Sequence, residues 1–186
     1  MKTAITLMCV ILMPLILLSQ DAATWNNLNN VIVKNQKFEI YASRNGEQVH
    51  KSTKELNVLL NYVTGEFYCG IQQKDLQLFS DEELPDDVER PDRAYMKING
   101  IMPVESMQYD VATDQQYKVE MSFTVLEQEA PVVFDVYVKN YQQSGGFRQF
   151  IGSADLNLRD VGMTEFVGYD PNLKLVFSFQ AFSKTK

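Results

Sequence analysis

From Tyr117 to Val125 the chain alternates without a break: Tyr117, Val119, Met121, Phe123 and Val125 are apolar, and Lys118, Glu120, Ser122 and Thr124 are polar. Successive side chains of an extended strand point to opposite faces, so this period of two predicts a strand that is dry on one side and wet on the other. The same period recurs. Val132, Phe134, Val136 and Val138 share one face, as do Phe150, Gly152, Ala154, Leu156 and Leu158. Near the end, Leu173, Leu175, Phe177, Phe179 and Ala181 alternate with Lys174, Val176, Ser178, Gln180 and Phe182. No long stretch carries a stripe of period 3.6, and the polar segment from Arg44 to Glu55 has room for a short turn at most.

Between Leu56 and Gln72 the pattern predicts a hairpin. With a two-residue turn at Thr64-Gly65, Tyr62 faces Phe67, Leu60 faces Cys69 and Val58 faces Ile71, and all six fall on one surface. Turn chemistry recurs at Arg44-Asn45-Gly46, Asn99-Gly100, Ser144-Gly145-Gly146 and Tyr169-Asp170-Pro171-Asn172. Many strands with short connections and no crossover helices predict an all-β, antiparallel sheet of about eight strands with little helix. Its edges must be paired or protected. Closure into a barrel removes them and leaves room for one small ligand; a two-sheet sandwich is the structural rival.

Residues 1–20 stand apart. Lys2 precedes an apolar run from Ala4 to Leu18, interrupted by Thr6 and Pro14, before Ser19-Gln20-Asp21. A positive start, an apolar centre and a polar exit describe a secretory signal peptide. The run is short for a membrane-spanning helix, so no stable anchor is expected after cleavage. Residues 21–186 are then one domain, periplasmic or secreted. The chain carries 17 basic and 24 acidic residues, for a formal net charge of −7. Such a balance repels phosphate backbones and anionic headgroups, and nucleic acid is not expected as a partner. Of the two cysteines only Cys69 lies beyond the leader, so the domain holds no internal disulfide.

Catalytic chemistry finds little support. The single histidine, His50, lies in the polar segment and reads as a surface loop residue. Cys69 faces the apolar side of its hairpin and reads as a small core side chain, without the positive neighbours that activate a thiolate. One histidine and one cysteine cannot assemble a zinc site of the usual kind. The acidic segment from Asp81 to Arg93 lacks the alternating carboxylates and the glycine of a calcium loop, and reads as solvated chain. No enzyme, metal or cofactor is expected.

What remains is apolar volume. Gly152 and Ala154 lie between Phe150 and Leu156, and Ala181 follows Phe179. Small side chains on an inner wall leave room for an apolar ligand, unless neighbouring large side chains fill it.

Several segments resemble the YceI-like family, exported bacterial proteins with a lipocalin-like barrel that binds long isoprenoid lipids. Ile151 to Met163 is similar to the family's late strand and its Asn-x-Arg-Asp-Phe-Gly turn, with Val161 in the aromatic position. Leu173 to Ala181 resembles the final strand, and Tyr95 to Ile101 the strand after the family's Tyr-Pro dipeptide. Phe123-Thr124-Val125 through Pro131-Val132 has the length of its Leu-Thr-Ile-His-Gly-Val-Thr-x-Pro-Val hairpin, with Leu126 and Glu127 in place of the histidine and glycine. The family's histidine-bearing first strand has no counterpart in Val31 to Ala42; Tyr and Arg residues elsewhere, such as Arg148 and Arg159, could supply the headgroup contacts instead.

The resemblance implies a noncatalytic carrier with an apolar, isoprenoid-type lipid inside the barrel. Its ligand-binding residues would be Val119, Met121, Phe123, Phe134, Val136, Phe150, Leu156, Leu175, Phe177 and Phe179. The alternative is an exported interaction or scaffold module, barrel or sandwich, with a filled core and with outward Tyr68, Tyr137 and Tyr141 as contacts. Homodimerisation is open in either case.

Overall fold

A computed structural model describes residues 31–76, 96–107, 114–125, 128–141, 147–160 and 168–183. The expectations for the leader (1–20), the acidic segment (81–93), Leu126, Glu127, the 144–146 turn and Val161 to Met163 lie outside the described residues. The strands are β1 (Val31–Arg44), β2 (Glu47–Thr53), β3 (Leu56–Leu60), β4 (Glu66–Ile71), β5 (Met96–Ile101), β6 (Gln115–Val125), β7 (Gln128–Tyr141), β8 (Phe147–Asn157) and β9 (Asn172–Ser183). One helical turn, α1 (Gln73–Leu76), and one 3-10 turn, Val104–Ser106, complete the described elements.

All pairings are antiparallel. The sheet order is β2-β1-β9-β8-β7-β6-β5-β4-β3, so a meander from β3 to β9 is continued by β1 and then β2. The ring is nearly closed. β2 pairs only with Phe38–Arg44 of β1, and β3 runs on beside the earlier part of that strand. There the Gln36 amide Nε2 donates to the Leu56 carbonyl at 3.4 Å. β2 and β3 thus act as one long strand, broken at 54–55, in a barrel of eight staves. The inward faces of β6, β7, β8 and β9 are those the alternation predicts, and their residues form one buried cluster.

Three expectations are corrected. The β3–β4 hairpin is in a register two residues from the expected one: Leu60 faces Phe67, Val58 faces Cys69 and Leu56 faces Ile71. A shift of two keeps every side chain on its face, but the connection is longer than the predicted turn. The cause is Asn61. Its Oδ1 accepts from the Val63 and Thr64 amides at 2.8 and 3.0 Å, its carbonyl accepts from Gly65 N, and Gly65 takes the left-handed φ of 77° that closes the loop.

Asn99-Gly100 is no turn; both lie inside β5. Gly100 is required because the Met121 side chain crosses it, and a Cβ there would sit 2.7 Å from Met121 Cγ. Finally, His50 lies on β2 rather than in a loop. The β1–β2 hairpin is exposed outside, so its polar sequence hid a strand. His50 stacks on its cross-strand partner Tyr41, with ring centroids 4.3 Å apart.

Glu39 holds this outer corner together. It accepts from Lys37 Nζ at 2.8 Å, His50 Nε2 at 3.1 Å and Tyr41 Oη at 3.2 Å. Burial is the largest single influence and raises its carboxyl, but the three donors together outweigh it and hold the carboxyl below its ordinary 4.5. A depressed carboxylate stabilises the fold fully above its unfolded value and loses that contribution as pH falls through the lower folded value. The stability gap between the native chain and Glu39→Gln should therefore be constant from neutral pH down to about 4.5 and shrink below it, as measured by urea unfolding at a series of pH values.

Candidate functional site: the barrel interior

All ten residues expected to line the ligand site are inside the barrel, none more than 6% exposed. Val119, Met121 and Phe123 come from β6, Phe134 and Val136 from β7, Phe150 and Leu156 from β8, and Leu175, Phe177 and Phe179 from β9. The register places Val119 opposite Phe134, Phe150 opposite Phe179 and Ala154 opposite Leu175, so the four strands offer one continuous apolar wall. Thr53 is the only buried polar side chain among the described residues, and its hydroxyl oxygen accepts from the Glu55 amide at 2.9 Å.

The opposite wall was less legible. Phe38, Ile40 and Ala42 of β1, Phe67 and Cys69 of β4, and Met96 and Ile98 of β5 complete the interior. On β1 the alternation fails because two residues, Asn35 and Gln36, stand against Phe179 alone: pairing passes from Lys34↔Gln180 to Lys37↔Ser178. This bulge, with Asn35 at a left-handed φ of 51°, switches the inward face from odd to even positions. A strand read without it shows no period.

The interior is bridged by rings. Phe67 stands on β4, three strands from β9 by the short way round, yet its ring meets Phe177 at 5.0 Å and Phe179 at 5.6 Å. Phe177 also meets Phe134 at 5.5 Å, and Phe179 stacks on Phe150 at 4.9 Å. Tyr62 continues the column toward one end, 6.5 Å from Phe150. The room expected at Gly152 is not free: Phe177 occupies it, lying so close that a Cβ on Gly152 would be 2.1 Å from its Cζ. The glycine seats a ring from the neighbouring strand rather than leaving space for a ligand.

The two barrel ends differ. At the Tyr62 end, Met102, Val104 and Met107 are buried in a segment tied to the β3–β4 loop by Met102 N donating to the Gly65 carbonyl at 2.7 Å. Arg148 lies there on the same face of β8 as Phe150; its guanidinium is 5.3 Å above the Tyr62 ring and its Nε donates to Asn140 Oδ1 at 3.0 Å. At the other end Leu76 of α1 and Leu158 are buried. Arg159 is exposed there, on the turn after β8, where its amide donates to Asn157 Oδ1 at 3.0 Å. The two arginines proposed for one headgroup are therefore at opposite ends, and only Arg148 adjoins the interior.

No constellation for nucleophilic or metal chemistry forms among the described residues. No group of three metal-ligating side chains occurs there. Cys69 is fully buried, and burial pushes its thiol up to about 12. His50 lies outside the barrel and Cys69 inside it. Of the outward tyrosines, Tyr137 and Tyr141 are exposed on β7, while Tyr68 lies half-buried along Gly70 on the outside of β4.

Two outcomes are expected. Gly152→Val should cost roughly 1–3 kcal/mol by overpacking, read from denaturant unfolding, because Phe177 is wedged between Phe67 and Phe134. Peptide mapping after exposure to iodoacetamide should find Cys69 unmodified in the native protein and labelled once denaturant is added.

No family model matches the sequence, and no curated protein matches it. Solved structures do match. A polyisoprenoid binding domain from Saccharophagus degradans implicated in plant cell wall breakdown superposes with a TM-score of 0.66 at 7% identity, over 83% of this chain and 99% of that one. Burkholderia cenocepacia BcnA matches at 11% identity and a TM-score of 0.47, over 86% of this chain and 98% of that one. The chain has the all-β, lipocalin-like antiparallel barrel fold that the resemblance to the YceI-like family implied, and it shares that fold with the polyisoprenoid binding domain.

Proposed function

We propose that this protein is an exported, noncatalytic member of the YceI-like group that carries an extended apolar lipid, isoprenoid in type, inside its barrel. The observation that carries this reading is the convergence of uncharged apolar side chains from all round the ring on one interior, in a fold shared with a polyisoprenoid binding domain. Transfer from water supplies the affinity. Each buried methylene contributes ~0.8 kcal/mol, so a chain of roughly ten carbons or more outweighs the cost of ordering it. Met96, Met102, Met107 and Met121 are all buried, and their unbranched, soft side chains can repack around a guest. The sequence pattern of residues 1–20, with Lys2 ahead of an apolar run, supports export to a periplasm or the medium.

The ring column sets a condition on this reading. A lipid must lie beside it or displace Phe67 from between the two walls. The same column supports a second reading, an interaction module whose core is permanently filled. Organic extraction of the purified protein followed by mass spectrometry should recover a long-chain lipid, and the stripped protein should take up an apolar fluorescent probe at about one per barrel. A stripped protein that refuses both probe and isoprenoid, while Phe67→Ala admits the probe, would establish the filled core.

A further inference from the structure

The outside of β7, β8, β9 and β1 is ordered in rows. At the rim of the Tyr62 end, register places Tyr141, Phe147, Phe182 and Ile32 side by side across the four strands. Tyr141 stacks on Phe147 at 4.7 Å and Phe147 meets Phe182 at 5.2 Å. Ile32 is 41% and Tyr141 38% exposed. The next outward row, two residues or about 6.6 Å further from the rim, reads Lys139, Gln149, Gln180 and Lys34. The third reads Tyr137, Ile151, Ser178 and Lys37. Only in the fourth, at Asp135 and Glu39, do carboxylates enter.

These three rows hold three lysines and no acid, in a chain where acids outnumber bases 24 to 17. Two carboxylates reach in from outside them: Asp114 before β6, 3.4 Å from Lys139, and Glu39, 2.8 Å from Lys37. Lys34 Nζ lies 5.4 Å over the Phe182 ring. Cross-strand aromatic pairs stabilise any sheet, but that role would not set lysines on both flanks of the row beneath. Aromatic and aliphatic side chains at a tip, with lysines one step behind, match the layers of a membrane interface. There rings settle at the acyl boundary and lysine stems extend back to the phosphates.

We propose that this rim docks on a bilayer containing anionic lipid, with Tyr141, Phe147, Phe182 and Ile32 at the acyl boundary and Lys34 and Lys139 at the phosphates. Docking would bring the Tyr62 end of the barrel to the membrane, and it does not depend on whether the interior carries a lipid.

Flotation of the full chain with phosphatidylcholine vesicles, with and without phosphatidylglycerol, tests the proposal. Binding should be stronger to the anionic vesicles and weaken with salt. The double variant Ile32→Ser, Tyr141→Ser, both at exposed positions, should bind about tenfold less. Lys34→Glu with Lys139→Glu should erase the preference for anionic lipid. Val133→Ser, at an exposed apolar position of β7 beyond the rows, should change nothing. Unchanged melting temperatures verify folding of each variant. Equal binding by the rim variants and the native chain, as binding through the leader alone would give, overturns the proposal, as does equal binding to neutral and anionic vesicles or none to either.

Discussion

The contact between Phe67 and Phe177 joins walls that the chain reaches by quite different routes. β4 and β9 are separated by five ladders in one direction and by the unladdered approach of β3 to β1 in the other. A ring from each side meets in the middle at 5.0 Å. That meeting requires every intervening strand to hold its register, since a slip of one residue on any of them would turn its apolar side chains outward. It also requires the space above Gly152, which no residue with a Cβ would leave open. Aromatic packing of this kind contributes beyond the area it buries, and here it fixes the bore of the barrel.

The pattern of the sequence was most readable where strands are long and regular. On β6 through β9 the alternation determined which side chains face inward, and all ten candidate residues are indeed interior. Reading failed where geometry departs from strict alternation. The bulge at Asn35–Gln36 concealed the inward trio Phe38, Ile40 and Ala42. β2 has both faces polar over most of its length, so His50 was taken for a loop residue. The capping side chain of Asn61 lengthened a turn whose residues alone suggested a tighter one. Glycines were the least transparent of all. Gly100 and Gly152 mark places where a neighbour's side chain crosses the backbone, a fact held in the partner strand and not in the local sequence.

Burial alone does not tell a carrier from a solid barrel; the distinction is how readily the interior rearranges. On the β5–β6 side and at the Tyr62 end the contents include Met96, Met121, Met102 and Met107, whose conformations are many and close in energy. On the β8–β9 side they include the stacked rings of Phe150, Phe177 and Phe179, each held by the next. A guest and the ring column would therefore compete for the same interior, and the methionine side offers the softer path. On the outside of β7, β8, β9 and β1 carboxylates begin in the fourth row and Lys34, Lys37 and Lys139 lie nearer the rim, while Arg148 adjoins the interior at the Tyr62 end.

The break at 54–55 makes the barrel's circumference unequal in stiffness. Elsewhere adjacent staves are joined by antiparallel ladders, but among the described residues β1 and β3 share no ladder and approach each other with the Gln36 to Leu56 bond between them. Amides facing that seam should be the first to exchange with solvent. A cylinder with one unstitched seam can widen its girth by parting there, without tearing any ladder, so the least expensive breathing motion of this molecule is the one that loosens its packed interior.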